Sequence, residues 1–261
     1  MSKSRRIILI LSLCIFLGCV VYIGFYIYNS YTTQTKISHL QRIVDNDDNI
    51  LEDIEVIEEP EEDKPEEYAS NGMIKGYYDA YVLNNDMVGW IRLPNTKINY
   101  PVMQQDNNEF YLHRNFEKEY QYSGLPFLDY QCDIKLPSDN LIIYAHNMRD
   151  GSMFAKLLSY EKKDYYKNNQ IVYFDTNYQR GKYHIFAVFR TKVGSDDEFR
   201  YNENIHFTDE LVFREYIEQV KENSLYDTDV EVNFGDKLLT LSTCSYNRSN
   251  ERVVVMAKKI Q

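Results

Sequence analysis

From Ile7 to Tyr28 the chain carries no charged residue and is rich in Ile, Leu, Val, Phe and Tyr. At about 1.5 Å per residue such a run crosses the roughly 30 Å hydrocarbon layer of a bilayer, so it reads as a membrane helix. A cleaved signal peptide needs a shorter apolar core and a small-residue cleavage site. Tyr22 to Tyr31 offers no such site and sets tyrosines at the boundary instead. Basic Lys3, Arg5 and Arg6 precede the run and acidic residues follow it. The positive-inside rule then places residues 1–6 in the cytoplasm and the remainder outside.

A second feature narrows the foldable part further. Asp45 to Glu67 is dominated by Asp and Glu, with Pro60 and Pro65 among them. Like charges at this density repel, and few apolar groups offset the entropy of ordering. Residues 29–69 therefore read as a stalk and acidic spacer. A calcium-binding tract is the alternative, but the Gly-centred spacing of an EF-hand loop is missing. One domain of ordinary size remains, residues 70–261. The net charge of -11 argues against non-specific nucleic-acid binding, although much of it sits in the spacer.

Within that domain the apolar runs are short and punctuated by turns. Ile74 to Leu83 has a helical face. Val88–Leu93, Lys97–Met103, Leu125–Asp129, Leu141–Tyr144, Ile171–Phe174 and Tyr183–Arg190 read as strands, with Val230–Val232 as a smaller one. Met153–Leu158 reads as a short helix and Tyr165–Gln170 as a polar loop. Phe110–Leu112 fits a short helix or a strand equally. From Thr208, a candidate N-cap, the apolar stripe Val212, Phe213, Tyr216, Ile217 and Val220 predicts a longer helix. Many short strands with few helices predict a closed, mostly antiparallel β domain with helices packed outside.

The candidate chemistry lies near the C-terminus. Leu238–Thr243 is a strand pattern that runs into Cys244. A polar turn follows, and then the strand pattern Arg252–Ala257. A thiol held at a strand end, with a cation on the neighbouring strand, has the makings of an activated nucleophile. A buried core cysteine, or a disulfide from Cys244 to Cys132, is the plainer reading. The four cysteines show no metal-knuckle spacing. His146 closely follows Leu141–Ala145 and opens a polar turn, which suits an active-site loop. His184 falls inside a strand pattern and reads as structural, His39 lies in the stalk, and His113 and His206 read as solvated. Arg252 fits either an edge salt bridge or a group that stabilises an oxyanion, with Arg248 in the turn as its competitor. Asn247–Ser249 also matches a glycosylation sequon. A zinc site on His146 and Cys244 lacks further ligands nearby.

Taken in order, these segments resemble the class B sortases. Thr240–Cys244 is similar to the family's TLxTC strand end, Arg252 falls at its catalytic arginine, and Ile143–Met148 is similar to its catalytic-histidine segment, with Ala145 where glycine is common. Val88–Ile91, Tyr100–Val102 and Gly124–Asp129 add to the match, which spans roughly Ser70 to Gln261. The resemblance implies a closed eight-stranded sortase-type β-barrel with an N-terminal helix and an additional long helix between late strands. It implies a membrane-anchored cysteine transpeptidase that cleaves a C-terminal sorting signal, NPQTN-like or NPxTx/PxTG-like, after Thr. The acyl group would pass through a thioester to an amine of cell-wall peptidoglycan or its lipid-linked precursor. His146, Cys244 and Arg252 would be catalytic, and Ser242, Thr243, Asn147 and Tyr246 would contact substrate. No cofactor or metal is implied. A pilin-polymerising enzyme, a hydrolytic cysteine protease and a non-enzymatic surface domain are the rival readings.

Overall fold

A computed structural model of the chain describes residues 3–48, 68–192, 199–244 and 251–261. Two compact units are present, Met1–Arg42 and Ile43–Gln261. The first belongs to helix α1, which runs Lys3–Asp48 without a break past the expected end of the apolar run. Side chains from Ile7 to Tyr28 stand exposed, and the most apolar window of the helix has a mean hydropathy of 2.8. A helix apolar on every face is long enough, and oily enough, to cross a membrane.

The second unit is a closed barrel of eight strands. They are β1 (Met87–Arg92), β2 (Asn99–Met103), β3 (Phe127–Leu128), β4 (Asn140–Ala145), β5 (Ile171–Thr176), β6 (Lys182–Lys192), β7 (Leu238–Cys244) and β8 (Glu251–Lys259). The order around the ring is β1-β2-β3-β4-β7-β8-β6-β5. Closure removes the exposed edges that an open sheet of this size would present. Most neighbours are antiparallel, but β2 with β3 and β4 with β7 are parallel. The β4–β7 pairing sets two strands that are far apart in sequence side by side with their C-terminal ends at one rim.

The remaining elements cover the barrel. Helix α2 (Lys75–Leu83) buries Tyr77, whose ring stacks on Trp90 of β1 with centroids 6.5 Å apart. Trp90 is 1% exposed and donates from Nε1 to Asn99 Oδ1, so it is a core anchor. Tyr111–His113 and Ala155–Glu161 are 3₁₀ turns. Helix α3 (Lys163–Lys167) occupies the start of the segment expected to be a polar loop. Asp164 in its first turn and Lys167 in its last both suit the helix dipole. Helix α4 (Glu210–Asn223) inserts between β6 and β7. Its cap is Asp209 rather than Thr208: the carboxylate accepts from Leu211 N at 2.7 Å and Val212 N at 3.2 Å. Its stripe of Phe213, Tyr216, Ile217 and Val220 packs into one apolar cluster with Phe186 and Phe189 of β6 and Val254 and Met256 of β8. Val230–Val232 forms no strand, since no neighbouring strand offers it a ladder.

Candidate active site

The parallel ladder of β4 and β7 pairs Tyr144 with Ser242 and Ala145 with Thr243. One residue further along each strand stand His146 and Cys244. The antiparallel ladder of β7 and β8 pairs Cys244 directly with Arg252. His146 is remote from the other two in sequence, yet all three positions meet at the rim of three consecutive strands. Paired positions on adjacent strands share a face of the sheet, which puts these register positions on one side.

The loop after β4 is held tightly. His146 O accepts from Phe154 N at 2.8 Å, and Asn147 bridges to Met153, so the turn returns on itself. Tyr100 OH receives Met153 N at 3.2 Å and ties that turn to β2. The His146 ring makes a hydrogen bond to the backbone carbonyl of Leu112, while Nε2 is buried with no hydrogen-bond partner. The donor is therefore Nδ1, and the neutral ring keeps its lone pair on Nε2. Burial pushes the His146 pKa below its ordinary value. The charge that His113 carries when protonated adds to this, as does the Arg252 guanidinium, and the Leu112 carbonyl opposes it.

His113 stands in a different place from the one its sequence neighbours suggest. Its ring lies 5.2 Å from that of His146, and Tyr122 stacks against His146 at 6.1 Å with planes 3° apart. Polar residues around His113 in sequence hide this proximity, which depends on how residues 111–125 fold back. His184 sits in β6, paired with Ile171 and Lys258, as a strand residue.

Of the expected substrate contacts, Ser242 and Thr243 are both 1% exposed. Thr243 Oγ1 donates to Ala145 O at 2.8 Å, and Ser242 Oγ shares a hydrogen bond with Tyr201 OH at 2.7 Å. Both hydroxyls are buried in the wall of the barrel and hydrogen-bonded within it. Asn147 is buried too, but its Nδ2 has no partner. Tyr246, Arg248 and the sequon at Asn247 lie outside the described residues. Cys132 is a free thiol, buried against the start of β4, with Sγ 3.5 Å from Asn140 O. Burial pushes its pKa up to about 12, so it is a poor nucleophile. Among the described residues, no group of three or more His, Cys, Asp or Glu side chains is arranged to hold a metal.

This barrel, with a cysteine, a histidine and an arginine at neighbouring strand ends, matches one family. The sortase domain profile fits residues 91–260. Sortase B of Listeria monocytogenes is 36% identical over 184 residues, covering 70% of this chain and 73% of that protein. Sortase B of Staphylococcus aureus is 34% identical over 181 residues, covering 69% and 72%. The solved S. aureus sortase B–substrate complex superposes with a TM-score of 0.75 at 26% identity, over 89% of this chain and 98% of that one. Sortase B from Bacillus anthracis in complex with AAEK1 gives a TM-score of 0.70 at 29% identity, over 89% and 98%. The chain belongs to the sortase family, the cysteine transpeptidases of the bacterial cell surface. Within it, the similarities fall among the class B members, which serve cell-wall anchoring.

Proposed function

We propose that Cys244 is the nucleophile, His146 the proton-transfer group and Arg252 the oxyanion or backbone-carbonyl clamp of a sorting-signal transpeptidase. The observation that carries this reading is the alignment of the three at one rim of β4, β7 and β8. Cys244 gives its thiol proton to His146 Nε2, and the thiolate adds to the carbonyl carbon of Thr in an NPQTN-like or NPxTx/PxTG-like signal. The carbon–nitrogen bond breaks, and the leaving amine takes a proton from His146. An acceptor amine of peptidoglycan, or of its lipid-linked precursor, then attacks the thioester. It gives a proton to His146, and the thiolate departs. The buried, unpartnered Nε2 of His146 is the nitrogen available for these transfers. Arg252, opposite Cys244 in the ladder, faces the charge that grows on the carbonyl oxygen. Thr243 and Ser242 serve by fixing β7, and Asn147 Nδ2 is the remaining polar donor beside His146. One sortase B has been solved with a substrate and another with triglycine, which supports a peptide donor and an amine acceptor for this chain as well.

The test uses a quenched signal peptide with and without an amine acceptor. Cys244→Ala should abolish turnover, with His146→Ala and Arg252→Ala severely impaired and melting temperatures retained. Turnover persisting in Cys244→Ala would end the nucleophile assignment. Hydrolysis undiverted by added amine would mark a protease in place of a transpeptidase.

In the same reading residues 1–6 are cytoplasmic, 7–28 span the membrane, 29–69 form the spacer and 70–261 the catalytic domain outside. Tethering raises the effective concentration of the enzyme at emerging substrates. The full chain should stay with membranes after alkaline extraction, and its release would refute the anchor.

A further inference from the structure

The proposed chemistry leaves His113 unused. Its ring and two tyrosine rings gather beside His146. His113 is 5.2 Å away, Tyr122 stands 6.1 Å from both histidines, and Tyr120 lies 6.2 Å from His113. His113 is itself anchored. Its Nδ1 sits 3.1 Å from Tyr122 O, and its own carbonyl accepts from Gln121 N at 2.9 Å. Gln121 is buried, so the two ends of this loop are clamped face to face. The neighbouring residue, Leu112, supplies the carbonyl that holds the His146 ring. One short stretch of chain thus touches His146 twice, through a carbonyl and through an aromatic surface.

A single hydrogen bond at Nδ1 fixes the tautomer but leaves the imidazole free to rock about that bond. Flat rings packed against it remove this freedom. We infer that His113, together with Tyr122, is a positioning residue that holds the His146 imidazole at the angle proton transfer requires. His113 does not touch the reacting atoms and acts through His146. An aliphatic side chain would fill the space, but it would not present a planar face.

The second consequence is electrostatic. The groups facing His146 are His113 and the Tyr122 phenol from the 111–125 loop, the Leu112 carbonyl from the same loop, and Arg252 from β8, with Cys244 placed at the neighbouring strand end. Arg252 and protonated His113 carry positive charge, and both oppose a proton on His146. Removing the His113 charge therefore makes His146 easier to protonate.

The inference rests on His146 being the proton-transfer group, and the experiment separates the two claims. His113→Ala, His113→Phe, Tyr122→Ala and His146→Ala are compared in the full-length enzyme by kcat, KM, pH profile and melting temperature. His113→Ala should lower kcat by about tenfold or more, with KM and melting temperature little changed, as expected when a catalytic group loses its support. Tyr122→Ala should show the same pattern. His113→Phe keeps a flat ring and loses the charge. It should recover much of kcat and move the limb of the profile set by His146 to higher pH. Wild-type kcat and profile in His113→Ala, beside an inactive His146→Ala, would overturn this inference alone. Full turnover in His146→Ala would overturn the reading on which it rests. A loss in His113→Ala that tracks a fall in melting temperature, without rescue by His113→Phe, would show a merely structural residue.

Discussion

Gly124→Ala is the substitution that most directly couples the fold to the chemistry. Gly124 has φ of +54°, in the left-handed region, and a Cβ there would press on the carbonyl oxygens of Tyr111 and Leu112 and lie 2.7 Å from the Leu112 carbonyl carbon. The Leu112 carbonyl is the acceptor that orients His146. The left-handed conformation costs alanine about 1–2 kcal/mol, and relieving a clash with backbone adds about 1–3 kcal/mol. The sum is about 2–5 kcal/mol. For a domain of this size each kcal/mol lowers the melting temperature by about 2–4 °C, so a fall of roughly 4–20 °C is expected. Displacing the carbonyl by about 1 Å should also reduce kcat by up to about a hundredfold. Gly235→Ala is the control: φ is +93° and nothing lies within 4 Å of an added Cβ, so only the conformational cost applies. Thermal melts and initial rates on the signal peptide read both effects. If Gly124→Ala melts and turns over like Gly235→Ala, the close approach of Gly124 to the Leu112 carbonyl is not what holds His146.

Two further substitutions probe the barrel. Asp175 is buried and accepts from Tyr77 OH at 2.6 Å, Arg92 at 3.0 Å and Gly181 N at 2.9 Å, with Arg180 at 3.5 Å. Asp175→Ala removes the acceptor these donors share and should cost about 3 kcal/mol by urea unfolding; a loss under about 1 kcal/mol would mean that water replaces the carboxylate. Burial alone raises the pKa of Asp139, but its hydrogen bonds to Lys237 and Phe207 N and the Lys237 charge outweigh this and hold it below its ordinary value. A depressed carboxylate stabilises the fold above its unfolded value near 3.8 and loses that contribution as pH falls through the folded one. Lys237→Met should therefore cost under about 1 kcal/mol at neutral pH, because both groups are partly exposed, and the difference from wild type should shrink as pH falls below about 4. A gap that stays constant with falling pH would assign the effect to packing.

The parts legible in the sequence are those whose signal is local. The α4 stripe from Phe213 to Val220, the apolar runs of β4 and β7, and the thiol at a strand end all follow from periodicity and punctuation. What stays hidden depends on partners distant in sequence. Thr243 meets Ala145 across 98 positions, and nothing in either run announces a parallel pairing. His113 sits among polar residues and reads as solvated, yet the return of residues 120–125 brings it to His146. Thr208 reads as the cap of α4, but the reach of the Asp209 carboxylate to Leu211 N and Val212 N moves the cap on by one residue. Val230–Val232 has strand composition without a neighbour, and composition alone forms no ladder.

The strand Thr240–Cys244 shows why its hydroxyls belong there. Thr240 Oγ1 donates to Asn140 Oδ1 at 2.8 Å, Ser242 pairs with Tyr201 at 2.7 Å, and Thr243 donates to Ala145 O at 2.8 Å. Each hydroxyl is buried, and each would be costly without its partner. Slipping β7 by two residues against β4 would break the bonds of Thr240 to Asn140 and of Thr243 to Ala145. The backbone ladder repeats every two residues and would re-form after that slip. The polar side chains thus fix which residue emerges next at the rim, and that residue is Cys244. A strand of valines in their place would be comparably buried and would carry no such penalty against the wrong register, so the position of Cys244 relative to His146 and Arg252 depends on these hydroxyls more than on hydrophobic packing.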